Sequence, residues 1–190
     1  MKKFFICILF VFSCLMSYSQ PQDTIYVLPK TAYSYVQSNY FEFGLGALIP
    51  TDESNSYTAF DLEVGRYIND YVGLGLNFKY GSEDEYKDRL GYIGPKVRFR
   101  ICNINEFESD IHIGFGYGWY TYRDWYDDWY YNNRTLNYVV PNIGISGYIK
   151  MSRNISLGIE PSYFWYISTN KDESTNVGVW NVMGKIKFNF

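Results

Sequence analysis

From Tyr40 onward the chain alternates apolar and polar residues with a period of two, in segments of roughly ten residues divided by polar punctuation. A strand places successive side chains on opposite faces, so this repeat predicts strands that separate an apolar from a polar environment. Eight segments carry it: Tyr40 to Ile49, Thr58 to Tyr67, Tyr71 to Tyr80, Leu90 to Ile101, Ile111 to Tyr122, Leu136 to Ile149, Ile155 to Ile167, and Val177 to Phe190. The fifth is the clearest, with Ile111, Ile113, Phe115, Tyr117 and Trp119 on one face and His112, Gly114, Gly116 and Gly118 on the other. In the eighth, Val177 and Val179 fall on the parity of Lys185 and Lys187, which predicts a bulge near Trp180. Pro95, Pro141 and Pro161 fall inside segments and predict further bulges or kinks, because a proline cannot donate to a ladder. Helical periodicity is missing, and after Met16 no run of roughly 18 apolar residues could form a membrane-spanning helix.

The joints alternate in character. Pro50 to Ser56, Gly81 to Asp88, Arg123 to Arg134 and Ser168 to Thr175 are polar and acidic, whereas Ile68 to Asp70 and Lys150 to Asn154 are short. Cys102 to Ser109, which belongs to the short set by position, is longer than that scheme wants. Long loops at one end and tight turns at the other predict an all-β fold: a closed antiparallel up-and-down transmembrane β-barrel of about eight strands. Both chain ends then lie at the periplasmic, tight-turn end.

Ahead of the strands, Met1-Lys2-Lys3 is basic, Phe4 to Met16 is almost wholly apolar, and Ser17-Tyr18-Ser19 offers small residues to a signal peptidase. Residues 1–19 therefore read as a cleaved export signal, residues 20–39 as a periplasmic leader, and residues 40–190 as the barrel. Val11-Phe12-Ser13-Cys14 resembles a lipobox only loosely, since Phe12 is bulky where such boxes take small residues. Export removes Cys7 and Cys14, so Cys102 has no partner for an internal disulfide, and no Cys/His cluster suits zinc.

Composition narrows the partners. Without Lys2 and Lys3 the balance is 15 basic to 20 acidic residues, which argues against nucleic acid. Aromatic residues make up 21% of the chain, with 21 tyrosines, the kind of supply from which barrels build girdles at both membrane interfaces.

Alternation alone does not separate a membrane barrel from a soluble lipocalin-like one, where the apolar face points inward. Glycine separates them. The polar face holds Gly44, Gly46, Gly65, Gly73, Gly75, Gly94, Gly114, Gly116, Gly118, Gly144 and Gly158. A solvated surface gains nothing from glycine, but the inside of a narrow barrel needs it to make room for long charged neighbours. Those neighbours predict an interior charge network of Glu42, Asp61, Glu63 and Glu160 with Lys79, Lys96, Arg98, Arg100, Lys185 and Lys187. If the last strand closes on the first, Lys185 and Lys187 lie beside the strand of Glu42, with Glu160 on their other flank. Such burial requires paired, hydrogen-bonded charges.

Over Tyr40 to Phe190 the chain resembles the small outer-membrane β-barrel superfamily, that is, the membrane domain of OmpA and the OmpX-type barrels. The most specific element is Ile186-Lys187-Phe188-Asn189-Phe190, alternating and closing on phenylalanine. In that family such an ending resembles the signal read by the barrel-assembly machinery, so Phe188 and Phe190 are its candidate residues. The resemblance implies a bacterial outer-membrane location, contact with outer-membrane lipid and no cofactor. It does not imply an activity.

Catalysis would have to run through His112, the only histidine. The family's deacylase members resemble a His-x-Ser arrangement; here the run is His112-Ile113-Gly114, with no nucleophile beside the histidine. An interior polar role in the charge network is the simpler expectation. The carboxylates of Ser82 to Glu85, with Asp124, Asp127 and Asp128, suit calcium or magnesium by type, but no spacing matches an EF-hand and a solvated acidic loop is the default. Arg123 to Arg134 carries Trp125, Tyr126, Trp129, Tyr130 and Tyr131, residue types found in contact surfaces for proteins and glycans. The plainer expectation is that the fifth and sixth strands continue outward and these rings form their rim. The sequence thus predicts a barrel with a structural or surface-interaction role, touching an extracellular protein or glycan through its loops. A lateral conduit for small hydrophobic molecules is the alternative, and an envelope lipid-modifying enzyme a distant one. Whether the interior at the loop end is charged or apolar discriminates the conduit.

Overall fold

A computed structural model describes residues 39–51, 56–83, 88–104, 106–126, 130–169 and 176–190. These residues form β1 (Asn39–Pro50), β2 (Tyr57–Tyr67), β3 (Val72–Ser82), β4 (Arg89–Ile104), β5 (Phe107–Tyr126), β6 (Tyr130–Lys150), β7 (Ile155–Ser168) and β8 (Val177–Asn189), with no helix among the described residues. Each strand pairs antiparallel with its chain neighbour, and β8 returns to β1, closing an eight-stranded up-and-down barrel. The closing ladder runs in one register from Tyr40 opposite Asn189 to Pro50 opposite Val179. Asn39 and Phe190 exchange both backbone hydrogen bonds at 3.0 Å. The expected export signal and the expected leader lie outside the described residues, apart from Asn39.

The ends differ as the joints predict. At one end the turns are tight and held by short polar side chains. Asn69 Oδ1 accepts from the amides of Tyr71 and Val72, both at 2.8 Å, and Ser152 Oγ accepts from Asn154 and Ile155. Asn and Ser stabilise turns in this way by satisfying amides the ladder cannot reach. This turn end also holds the β1 start and the β8 end. The opposite, loop end carries the longest strands, β5 and β6, whose ladder continues to Tyr126 opposite Tyr130.

Three expectations need correction. First, Cys102 to Ser109 is not a long joint: β4 runs to Ile104 and β5 starts at Phe107, so the turn is short. A register shift between Arg100 and Cys102 hides the continuity, a bulge at a barrel rim. Cys102 is half-buried and unbridged. Second, there is no bulge near Trp180, since β8 keeps a single register with both neighbours. Val179 points inward and is fully buried because the interior itself turns apolar at that level. Third, the prolines shift no register. The ladder merely skips: β4–β5 lacks the pairs at Gly94 and Pro95, and β6–β7 those at Val140 and Pro141 and again at Ile145 and Ser146, opposite Pro161 and Glu160.

The outer face is apolar and the inner face holds the charges. Leu45, Ile113 and Ile159 are 59%, 51% and 63% exposed, while Arg98, Glu63 and Lys187 are wholly buried. Aromatic rings gather on this outer face toward the loop end, where Phe60 packs on Phe78 and Tyr80, Phe78 on Trp119, and Tyr163 on Trp165 and Trp180. Close approach explains the inward glycines best at Gly94 and Gly116. A Cβ on Gly94 would lie 2.6 Å from the Gly116 Cα, and one on Gly116 2.7 Å from the Gly94 Cα.

Candidate functional site: the barrel interior

The interior is built in layers, each supplied by inward positions of several strands. Nearest the turn end, Lys187 donates to Glu108 at 2.5 Å and to the Tyr67 hydroxyl at 3.1 Å. The Arg100 guanidinium lies 3.8 Å over the Tyr67 ring and donates to Glu108 at 3.0 Å, while Tyr67 donates to Asp110 at 2.7 Å.

Above this floor Arg98 is the hub. Its Nε and Nη2 engage both oxygens of Glu63 at 2.7 Å, the bidentate fork a guanidinium is shaped for. Nη2 also reaches Glu42 at 2.5 Å, and Tyr148 donates to the same Glu42 oxygen at 2.9 Å. Lys96 bridges Glu63 at 2.7 Å and Glu160 at 3.1 Å. Lys185 sits among four carboxylates: Glu160 at 2.7 Å, Glu42 at 3.1 Å, Asp61 at 3.3 Å and Glu63 at 3.5 Å. Lys79 pairs with Asp61 and reaches Glu160 at 3.3 Å. Closure of β8 on β1 is what makes this possible, because Gly44 stands opposite Lys185 and Glu42 opposite Lys187.

The structure brings all ten charged residues singled out in the sequence into one cluster, with only Arg100 retaining some exposure. Sequence reasoning missed two members, Glu108 and Asp110. Those ten comprise four acids and six bases, an imbalance a buried cluster could hardly sustain; the two missed acids make it neutral among the described residues. The signal was present. Glu108, Asp110 and His112 continue one parity with Gly114, but the supposed joint at Cys102 to Ser109 took in Glu108, and the fifth segment, begun at Ile111, left Asp110 outside.

His112 is also buried there. Its strand offers no serine on the inward face, yet the neighbouring strand does: Ser146 Oγ lies 3.5 Å from Nδ1, and Glu160 lies 3.9 Å from Nε2. The three types match a hydrolytic triad, but all are wholly buried and Arg98 also donates to Ser146, so no acyl group can approach. Glu42, Glu63 and Glu160 likewise come close enough to share a metal ion. Arg98, Lys96 and Lys185 already supply the cations, and a divalent ion would have to displace them.

Toward the loop end the interior changes character. Leu48, Tyr57, Leu90, Tyr92, Tyr138, Val140, Phe164, Tyr166, Val179 and Met183 form a continuous apolar cluster. Tyr92 marks the boundary, its ring edge-on to Phe164 and its hydroxyl accepting from Asn142 at 2.9 Å. Above it a cleft opens among Tyr57, Leu90, Tyr120, Tyr138, Tyr166 and Val179, with free space of about 20 Å³, room for little more than one water. Among the described residues the interior is therefore filled by side chains, as expected at the size of an eight-stranded barrel.

The remaining predicted residues lie at the rims. Phe188 and Phe190 face outward, Phe188 stacked on Phe41. For the aromatic segment, the backbone of β5 and β6 pairs from Arg123 opposite Asn133 to Tyr126 opposite Tyr130, so much of the supposed loop is strand. Trp129 and the side chains of Trp125, Tyr126, Tyr130 and Tyr131 lie outside the described residues, as do Asp84, Glu85, Asp127 and Asp128.

No protein-family model matches the sequence, and none of the curated proteins compared with it matches either. Solved structures do. Neisserial surface protein A is similar over 81% of this chain and 97% of its own, at 11% identity and a TM-score of 0.60. A major outer membrane protein from Thermus thermophilus is similar over 82% of this chain and 100% of its own, at 12% identity and a TM-score of 0.61. The attachment invasion locus protein of Yersinia pestis is similar over 81% and 99%, at 16% identity and a TM-score of 0.54. The fold of this chain is that of the small eight-stranded outer-membrane barrels.

Proposed function

We propose that the protein is exported by its first 19 residues, loses them, and resides in the bacterial outer membrane as a non-catalytic barrel with a structural or surface-interaction role. One observation carries this reading: leucines and isoleucines are exposed around the outside while six acids and five bases are buried within, with Arg100 half-buried beside them. In water that inversion would be ruinous; in lipid it satisfies both faces. The tight turns and the 20–39 leader then face the periplasm, and the long β5–β6 ribbon stands toward the exterior. Fractionation tests this. The mature chain should begin at Gln20 and sediment with outer membranes; recovery in the soluble periplasm, or a lipid on Cys14, overturns it.

Within this reading the alternating run through Phe188 and Phe190 serves the barrel-assembly machinery. Deleting Phe190 should lower the amount of assembled barrel in cells yet leave refolding in detergent largely intact; equal loss in both would reduce Phe190 to packing. The rings of Trp125 to Tyr131 are the candidate contact with an extracellular protein or glycan. Replacing Trp125 and Trp129 together with serine should abolish cell-surface adhesion at little cost in thermal stability, since a lost aromatic hot spot typically costs about 2 kcal/mol of binding. Lost stability with unchanged adhesion would make them a rim.

A second reading, a conduit for small apolar molecules, is favoured by the apolar interior at the loop end. Cells carrying the barrel should take up an uncharged apolar dye faster than cells without it.

A further inference from the structure

Two features on different elements meet at one place in the wall. The first is the apolar cleft at the loop end, bordered by Tyr138 of β6 and Tyr166 of β7. The second is the β6–β7 ladder, which is interrupted twice, whereas β5–β6 is continuous from Phe107 opposite Ile149 to Tyr126 opposite Tyr130, and β7–β8 is continuous throughout. The upper interruption spans Val140 and Pro141, between the pairs Val139–Ile167 and Asn142–Phe164. Constant register sets Val140 opposite Tyr166 there, so the cleft floor and the gap in the wall share a side chain.

The prolines explain the gaps. The Thr169 amide donates to the Asn137 carbonyl at 3.1 Å, and antiparallel pairs alternate between hydrogen-bonded and non-hydrogen-bonded. Counting in twos from that bond, Pro141 opposite Trp165 and Pro161 opposite Ile145 both occupy positions whose amide would donate across this seam. Neither has an amide hydrogen to give. Pro95 removes a single donor from β4–β5. One seam therefore loses two donors: that of Pro161 beside Glu160 and Ser146 in the charged half, and that of Pro141 at the height where the inner face has turned from charged to apolar and where the outer face, with Trp165 and Ile167, is exposed.

We propose that the barrel wall opens at the β6–β7 seam, and that a small uncharged apolar molecule passes there between the outer cleft and the bilayer. This rests on the conduit reading and gives it a route. In the closed state described here the free space holds about one water, so passage requires Tyr138 and Tyr166 to swing aside as the seam parts. The charged half is the stop below: Lys96, Lys185 and Glu160 give an apolar molecule nothing to gain by moving further inward, which leaves the lateral exit.

The test restores the missing donors in the full-length protein. The double variant Pro141→Val/Pro161→Val supplies both amides, and Pro95→Val is the control for a proline outside the seam. Electrophoresis with and without boiling first establishes equal amounts of assembled barrel. In the wild type, the seam-facing amides of residues 139, 143, 163, 165 and 167 should exchange with deuterium faster than their β7–β8 counterparts; in the double variant their exchange should slow by about tenfold, the scale of a regained hydrogen bond. Uptake of the apolar dye 1-N-phenylnaphthylamine by cells carrying the protein should fall in the double variant and persist in Pro95→Val. Barrel-dependent uptake that the double variant leaves intact would overturn the route while sparing the conduit. Uptake no faster than in cells lacking the barrel would overturn both. Should the double variant not assemble, wild-type exchange alone decides: protection at β6–β7 equal to that at β7–β8 refutes the seam.

Discussion

The two halves of the interior solve the same problem in opposite ways. Each must fill a narrow lumen with side chains from eight strands. The half near the turns does so with ions, joining Arg98, Lys96 and Lys185 to Glu42, Glu63 and Glu160 in one neutral mesh. The half near the loops does so with rings and aliphatic groups, Tyr138, Tyr166, Phe164, Val140 and Met183. Ions hold register strictly, because a buried charge moved away from its partner loses several kcal/mol. Apolar contacts are non-directional and tolerate rearrangement. The wall does not follow the division, since the upper skip of the β6–β7 ladder lies beside the apolar half and the lower one beside the ionic half.

The largest expected effect comes from breaking the ionic half on one side only. Glu160→Leu removes the partner of Lys79, Lys96 and Lys185 and should cost about 3–5 kcal/mol of unfolding free energy in detergent. Removing Lys185 as well, in Glu160→Leu/Lys185→Leu, should recover part of that loss, because one uncompensated cation goes with it. A double variant as damaged as the sum of its singles would show that Glu160 and Lys185 are not energetically coupled.

In the apolar half the cost should follow volume and not charge. Met183→Ala, at a fully buried position, should cost about 2–3 kcal/mol, and Met183→Leu less than about 1.5 kcal/mol. If Met183→Leu proved as harmful as Glu160→Leu, the supposed tolerance of the upper half would be refuted. The smallest effect belongs outside both halves. Glu83→Leu, at the loop end of β3, should change stability by under about 1 kcal/mol. A value near that of Glu160→Leu would mean that the contrast between inside and outside is not what sets these costs.

Charge-based chemistry was more legible in the sequence than apolar chemistry. Lysine, arginine and glutamate on a glycine-rich parity have one plausible place in a barrel, so Lys79, Lys96, Arg98 and Glu160 declare their orientation. Leu48, Val140 and Val179 do not. Each sits on the inward parity, but an apolar residue in such a chain reads by default as lipid-facing, and Val179 seemed to require a bulge for that reason. Glu108 was obscured differently: a true bulge on β4, at Arg100 and Cys102, made the end of β4 and the start of β5 read as one long joint, and Asp110 was left just outside the fifth segment.

The sequence by itself determined the alternation, the up-and-down order, a count of about eight strands and which face is glycine-lined, because period-two patterning and turn residues are local properties of the chain. Tertiary structure alone decided the rest. Closing β8 on β1 sets Lys185 among four carboxylates drawn from three strands besides its own, and brings Ser146 to His112 across a ladder no single strand reveals. It also decided that the interior is ionic at one end and apolar at the other. That depends on which inward positions of eight separate strands share a height, and the register between strands, not the order along them, sets that height.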